Sequence, residues 1–164
     1  MGEALAKARL FVKELMGREI EDIPDSDGMR LLKGIPNVDD DKRLDIVIRK
    51  MTLPFFRKCL ELDPGARVCA TGNPGIGKST SIPYLIRLIL ERPKPCTVVY
   101  QVRGEKWYYQ FTSTGDGEYH TEVFSKRVEL EDVPSLQDEN NFLIVDSGSG
   151  THGSCNPNRG VKAR

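Results

Sequence analysis

The chain has 164 residues, enough for one domain with a core of ordinary size but few for two. Lysine plus arginine and aspartate plus glutamate each total 24, so the formal net charge is zero, which argues against a nucleic-acid binder held by bulk electrostatics. No apolar run approaches the roughly 20 residues that cross a bilayer, no secretory leader is visible, and the four scattered cysteines form no Cys-x-x-Cys pair; we therefore expect an intracellular protein without a membrane segment.

The amino-terminal segment predicts an amphipathic helix over residues 4–16. Apolar residues recur there at the spacing of one helix face, with charged residues on the opposite side. These apolar residues are Leu5, Ala8, Val12 and Leu15. We expect the helix to pack on its own domain, and a helix that binds a partner is the alternative.

The stretch from Glu21 to Asp41 is polar and irregular, and it predicts a linker or surface loop. Its aspartates, including Asp39–Asp41, do not fit a calcium-binding loop, because Ile23 and Gly34 stand at the first and closing ligand positions. Residues 1–50 are therefore expected to form a helical extension followed by a linker.

A second helix is predicted from Thr52, with Pro54 in its first turn, where the missing N–H costs nothing. The short apolar run Arg67–Thr71 then predicts a buried parallel strand. A third, amphipathic helix is predicted over Ser79–Glu91, and Pro83 in its first turns is expected either to be tolerated or to distort the start of the helix locally.

The rest of the chain predicts strands. Thr97–Val102 and Trp107–Thr112 read as a hairpin, followed by Tyr119–Phe124 and by the apolar run Phe142–Val145. The aromatic residues of the second strand could stack on nucleobases, but packing in the hairpin is favoured because no excess of basic residues surrounds them. Residues 151–164 are expected to form a flexible tail.

One octet carries recognisable chemistry, because it matches a phosphate-binding loop (Walker A) at every fixed position. Its glycines let the backbone pass close to phosphate oxygens, and its N–H groups and the following helix terminus attract the anion. We expect Lys78 to bind the β- and γ-phosphates, Ser79 to ligate Mg²⁺, and Thr80 to assist near the α-phosphate. The octet is Gly72, Asn73, Pro74, Gly75, Ile76, Gly77, Lys78 and Ser79.

The second half of such a site is an aspartate at the end of an apolar strand. Phe142–Val145 followed by Asp146 supplies that pattern, and a strand carries its last residue to the carboxyl edge of the sheet, where ligands bind in open α/β folds. We expect Asp146 to hold Mg²⁺ through water. A hydrolase of this type often has a glutamate next to the aspartate, whereas Ser147 stands there, so nucleotide binding is better supported than hydrolysis.

The order of these elements resembles the retrotransposon hot spot proteins of trypanosomatids and the Crinkler-type effectors. The resemblance covers roughly residues 52–150: the phosphate loop, the helix after it, Thr97–Tyr100, the aromatic strand Trp107–Phe111 and Phe142–Asp146. It implies the front half of a P-loop NTPase domain, with ATP as the nucleotide, and a truncated or fragmentary member of the group.

The resulting fold prediction is an α/β chain with a P-loop NTPase-like parallel sheet flanked by helices. We expect that sheet to be incomplete, with a β-hairpin insertion, and to occupy residues 51–150 between the extension and the tail.

Three functions stay open. They are a Mg²⁺-dependent ATPase, a nucleotide-holding or degenerate module that acts through protein partners, and a small-molecule phosphotransferase that shares the loop. The guanine-reading Asn-Lys-x-Asp pattern is absent.

Overall fold

The computed structural model describes residues 1–63, 65–66, 68, 70, 77–102 and 105–146. Within these ranges the chain is an α/β protein with two sheets. No helix in the described ranges has both the length and the apolar character needed to cross a membrane. The elements are α1 (Gly2–Gly17), β1 (Glu21–Asp22), β2 (Arg30–Pro36), β3 (Arg43–Ile48), α2 (Thr52–Leu60), α3 (Lys78–Leu90), β4 (Cys96–Gln101), β5 (Trp107–Ser113), β6 (Tyr119–Ser125) and β7 (Phe142–Val145), with short 3₁₀ turns at Leu130–Asp132 and Pro134–Gln137.

The amino-terminal region contains a three-stranded antiparallel sheet in the order β1-β2-β3. The prediction that Glu21–Asp41 is a linker or loop was therefore wrong, and the extension is not purely helical. The physical reason is a β-bulge: Leu32 pairs with Ile46 and Ile35 with Leu44, so two residues of β2 oppose one of β3. The bulge breaks the alternation of apolar and polar residues that would have indicated a strand.

Gly34 occupies the bulge with a φ of +63°, a conformation that residues with a side chain rarely adopt. Its N–H donates to Asp45 Oδ1 at 2.8 Å, and its carbonyl accepts from the Arg43 guanidinium at 2.6 Å. The backbone groups that leave the ladder are thus paired with side chains of β3.

The second sheet has four strands in the order β6-β5-β4-β7. The predicted hairpin is confirmed, since β4 and β5 pair antiparallel from Cys96↔Ser113 to Gln101↔Tyr108. The predicted strand at Phe142–Val145 is also confirmed, and it runs parallel to β4. The sheet is therefore mixed, with one parallel pair among the described strands.

The predicted strand at Arg67–Thr71 lies mostly outside the described residues. Of its members, only Val68 and Ala70 are described; both are exposed and neither belongs to a strand. The predicted tail, residues 151–164, also lies outside the described ranges.

A single buried cluster joins both sheets and the three helices α1, α2 and α3. It includes Phe11 of α1, Ile46 of β3, Ile86 of α3 and Phe111 of β5, all at most 1% exposed. The rings of Phe11 and Phe111 lie 5.4 Å apart, a separation typical of packed aromatic pairs. The cluster includes residues on both sides of the predicted boundary at residue 50.

The opposite face of the four-stranded sheet carries a smaller cluster. Val99 of β4 and Tyr108 of β5 pack there with apolar residues of the segment that contains the two 3₁₀ turns: Leu130, Val133 and Leu136. Both faces of β4 are therefore covered, which explains why Cys96–Tyr100 are buried without interruption.

Candidate functional site

The helix that follows the predicted phosphate loop begins at Lys78, one residue before the predicted start at Ser79. Gly77 is the residue before α3 and has a φ of +87°, which glycine adopts without a steric penalty. Lys78 is the first helical residue, and Ser79 and Thr80, in the first turn, are exposed. The helix continues through Pro83 to Leu90, so of the two alternatives for this proline, the structure shows the tolerated one.

Asp146 is held at the carboxyl end of the parallel pair. Its backbone N–H donates to the carbonyl of Gln101 at 2.9 Å, which extends the β4–β7 ladder by one bond. The other end of β7 is fixed by Asn141, whose side-chain oxygen accepts from the N–H of Thr97 at 2.8 Å and whose amide nitrogen donates to the carbonyl of Ser135 at 2.8 Å. Asn141 is 8% exposed, so these bonds are shielded from water.

The two predicted halves of the site meet. The Ser79 hydroxyl donates a hydrogen bond of 3.0 Å to Oδ1 of Asp146, across 67 residues of sequence. The helix that begins at Lys78 therefore lies with its first turn against the carboxyl edge of the sheet. Both oxygens are at the amino end of α3, where backbone N–H groups lack helical partners.

Part of the predicted site lies outside the described residues. Gly77, Lys78, Ser79, Thr80 and Asp146 are described, and they lie at the start of α3 or at the end of β7. The remaining predicted residues are outside the described ranges: Gly72, Asn73, Pro74, Gly75 and Ile76.

The charge of Asp146 acts on one further carboxylate that the sequence did not single out, Asp39. Asp39 follows β2, and burial raises the pKa of its carboxyl group, with smaller contributions from the negative charges of Asp40 and Asp146. The pKa of Tyr100 in β4 is also raised. Burial is the largest cause, and the negative charges of Asp146 and Asp39 follow. Asp39 was missed because it lies in the stretch interpreted as a linker.

The donor set fits Mg²⁺. A serine hydroxyl and carboxylates are hard oxygen donors, and Mg²⁺ in proteins usually has only one or two carboxylate ligands besides phosphates and water. In the described part of the chain no group of three or more His, Cys, Asp or Glu could hold a metal ion by itself.

The aromatic strand does not form an exposed stacking platform. Tyr109 and Phe111 are at most 1% exposed, and Tyr108 is 7% exposed. The preference for packing over nucleobase stacking is therefore confirmed for these three residues.

Comparisons with protein-family models, with curated proteins and with solved structures found no match to the chain. The resemblance to retrotransposon hot spot proteins and Crinkler-type effectors thus stays a prediction from the sequence.

Proposed function

We propose that the chain is a nucleoside-triphosphate-binding P-loop domain that takes ATP together with Mg²⁺. The observation that carries the proposal is the 3.0 Å hydrogen bond between Ser79 and Asp146. Two motif halves that are far apart in sequence would have no reason to meet if the octet were an incidental glycine-rich turn.

The roles of the residues follow from their chemistry. Lys78 would place its ammonium on the β- and γ-phosphates, and the first turn of α3 would direct N–H groups and a partial positive charge at the anion. Ser79 and Asp146 would hold Mg²⁺, which neutralises phosphate charge when bound. The exposure of Ser79 and Thr80 leaves these groups accessible to a ligand.

Hydrolysis has less support than binding. Glu139 is the acidic residue nearest to Asp146 in the preceding sequence, and it lies before β7, at the opposite end of the strand. The nucleotide-holding module that acts through protein partners therefore remains the alternative, and the two functions differ in turnover rather than in binding.

The test is a titration with a fluorescent ATP analogue and Mg²⁺, with phosphate release measured in the same samples. We expect saturable binding that is lost in Lys78→Ala. The matched control is Lys94→Ala, because Lys94 is exposed and follows the far end of α3, a helix of 13 residues that is about 20 Å long at 1.5 Å per residue. Phosphate release would favour the ATPase, and binding without release would favour the module. A folded protein that binds no nucleotide would contradict both.

A further inference from the structure

An open groove lies between α1 and the outer edge of the four-stranded sheet. Its volume is about 950 Å³, and its walls come from α1 between Arg9 and Gly17 and from β6 with the turn before it, between Gly117 and Glu122. Consecutive residues of β6, whose side chains alternate between the two faces of the sheet, line the groove. The groove therefore follows the edge of the strand rather than one face of the sheet.

The edge of β6 offers backbone hydrogen-bonding groups. Among the described strands, β6 pairs with β5 alone, in consecutive register without a bulge. Just past the strand end, the N–H of Lys126 donates to the carbonyl of Lys106 at 3.0 Å, and antiparallel pairs alternate between bonded and non-bonded from there. The residues that point N–H and C=O groups away from β5 therefore include Tyr119, Thr121 and Val123. Such an edge, in a strand without proline or lysine, is a template for a further strand.

The α1 wall of the groove is positively charged. Arg9 and Lys13 both line it and are exposed, and neither forms an ion pair with another described residue. Lys7 on the same helix, by contrast, pairs with Glu3 at 3.3 Å and with Asp41 at 3.0 Å. Like charges four residues apart weaken a helix, so an anion in the groove would relieve a repulsion that the fold retains.

The acidic side chain among the residues that line the groove faces away from α1. Glu122 accepts a hydrogen bond from the side chain of Gln110, whose oxygen accepts from Ser135 in the segment of the 3₁₀ turns. Phe111, the next residue of β5, points to the opposite face, where its ring packs on Phe11 of α1. The negative charge of Glu122 therefore lies on the other face of the sheet from the two cations.

We propose that the groove binds an extended acidic segment of a partner protein, which adds to the edge of β6 as a further strand and places alternate carboxylates beside Arg9 and Lys13. The spacing of the charges supports this arrangement. The two cations are four residues apart, a rise of about 6 Å along the helix, and alternate side chains of a strand are about 6.6 Å apart. The inference goes beyond nucleotide binding and does not depend on it.

Two other occupants fit the charge less well. Residues 147–164 of the chain contain no aspartate or glutamate, and they carry Arg159, Lys162 and Arg164. A second copy that paired its β6 with this one about a two-fold axis would keep its α1 on the same side of the joined sheet. The cations of the two α1 helices would then face each other across the groove and repel.

The test is fluorescence anisotropy of a labelled peptide, Thr-Glu-Val-Glu-Thr-Glu-Val with blocked ends, titrated with the full chain in the absence of nucleotide. The comparison peptide has glutamine in place of each glutamate. We expect the acidic peptide to bind about 10-fold more tightly than the glutamine peptide, and the difference to shrink in high salt. No binding of the acidic peptide, or equal binding of the two, would overturn the proposal.

Charge variants locate the site. The double variant Arg9→Gln with Lys13→Gln should bind the acidic peptide about 10-fold more weakly and leave the glutamine peptide unchanged. The matched control is Lys33→Gln with Lys50→Gln, which removes two positive charges from side chains that are 55% and 66% exposed and lie outside the groove lining. An equal loss in the control would overturn the site, because general charge would then explain the binding.

Backbone methylation of the peptide tests strand addition. One acidic peptide is methylated on the nitrogens of its glutamates and another on those of the intervening residues, because only one of these sets points toward β6. One of the two peptides should bind at least about 10-fold more weakly, and which one it is reports the direction of the added strand. Equal affinity of both with the unmethylated peptide would overturn strand addition.

Thr121→Pro gives the matching change in the protein. It removes an N–H that points away from β5, a position that an edge strand tolerates, so the variant should fold and bind the acidic peptide at least about 10-fold more weakly. If it does not fold, the methylated peptides decide. A wild-type dimer in sedimentation that Thr121→Pro dissociates would overturn the proposal, since a second copy would then occupy the edge.

Discussion

Ser79 and Asp146 are joined by a 3.0 Å hydrogen bond from the serine hydroxyl to the aspartate carboxylate. If both oxygens serve one cation, their contributions to Mg²⁺-nucleotide binding are not independent. We expect Ser79→Ala and Asp146→Asn each to weaken binding in Mg²⁺ by about 10-fold or more, on the scale of losing one partner at a metal site. The double variant should be weaker than either single variant by no more than about 3-fold, which a double-mutant cycle measures.

The control for this cycle is Ser81→Ala in the same helix. The Ser81 hydroxyl donates to the carbonyl of Lys78 at 2.8 Å, so its removal tests a serine that bonds within the helix rather than to Asp146. Fully additive effects of the Ser79 and Asp146 substitutions would show that the two residues do not act as one unit.

Asn141 should be important for stability, because its side chain bonds both to β4 and to the turn before β7. Asn141→Ala leaves the N–H of Thr97 and the carbonyl of Ser135 without these partners in a buried position. We expect a loss of about 1–3 kcal/mol in the free energy of unfolding, measured by urea denaturation. Asn140→Ala is the matched control, since the Asn140 side chain is exposed and bonds only locally to Asp138. Equal losses in the two variants would contradict the anchoring role of Asn141.

Phe11 should be a main determinant of the packing between α1 and the four-stranded sheet. Its ring is 1% exposed and contacts Phe111, so Phe11→Ala leaves a cavity in the core. We expect a loss of about 3–5 kcal/mol by urea denaturation. Leu10→Ala, which changes an adjacent residue that is 44% exposed, should cost much less, at about 0.5 kcal/mol. A loss below about 1 kcal/mol in Phe11→Ala would show that α1 folds independently of the sheet.

The ion pair between Glu14 and Arg18 should make the free energy of unfolding depend on pH. The hydrogen bonds from Arg18, at 2.6 and 3.1 Å, lower the pKa of Glu14 most, and the charges of Arg18 and Arg43 lower it further. Because the pKa in the folded state is below the ordinary value of 4.5, the unfolded state binds more protons in that window, and stability rises with pH. The contribution of Glu14 is therefore present above pH 4.5 and is lost as the pH falls through the lowered pKa.

Urea denaturation of Glu14→Gln between pH 3 and pH 7 checks this expectation. The variant should be less stable than wild type at neutral pH, and the difference should close on acidification and shrink in high salt. Glu19→Gln removes an exposed carboxylate from the segment just after α1 and should not reproduce that profile. A difference that stays constant with pH would exclude the ion pair as its cause.

The elements that the sequence predicts well are those whose pattern is local. The apolar face of α3 repeats at helical spacing after a glycine, and β7 is a run of four apolar residues that ends on an aspartate. The turn between β4 and β5 is short enough that pairing of neighbours is the natural expectation.

The features that the sequence missed depend on contacts between distant segments. The β2 strand is interrupted by the bulge at Gly34, and its partner β3 follows a turn that is rich in aspartates. The composition of this segment therefore resembles that of a loop. Asp39 cannot be distinguished from its neighbours Asp40 and Asp41 by residue type. Its partial burial depends on the fold, because it follows Val38, which is 1% exposed in the core.

The parallel pairing of β7 with β4 has a consequence for the order of folding. The β4–β5 hairpin joins neighbouring segments and can form within about 1–10 μs, whereas Thr97 and Asn141 are 44 residues apart, so their contact requires closure of a long loop. Long-range pairings of this kind slow folding and are expected after the local ones. Asp146 reaches Ser79 only once β7 has docked, and a local opening of β7 would remove the carboxylate while α3 stays folded. The acidic half of the candidate site would thus form after the hairpin and would be lost whenever β7 opens.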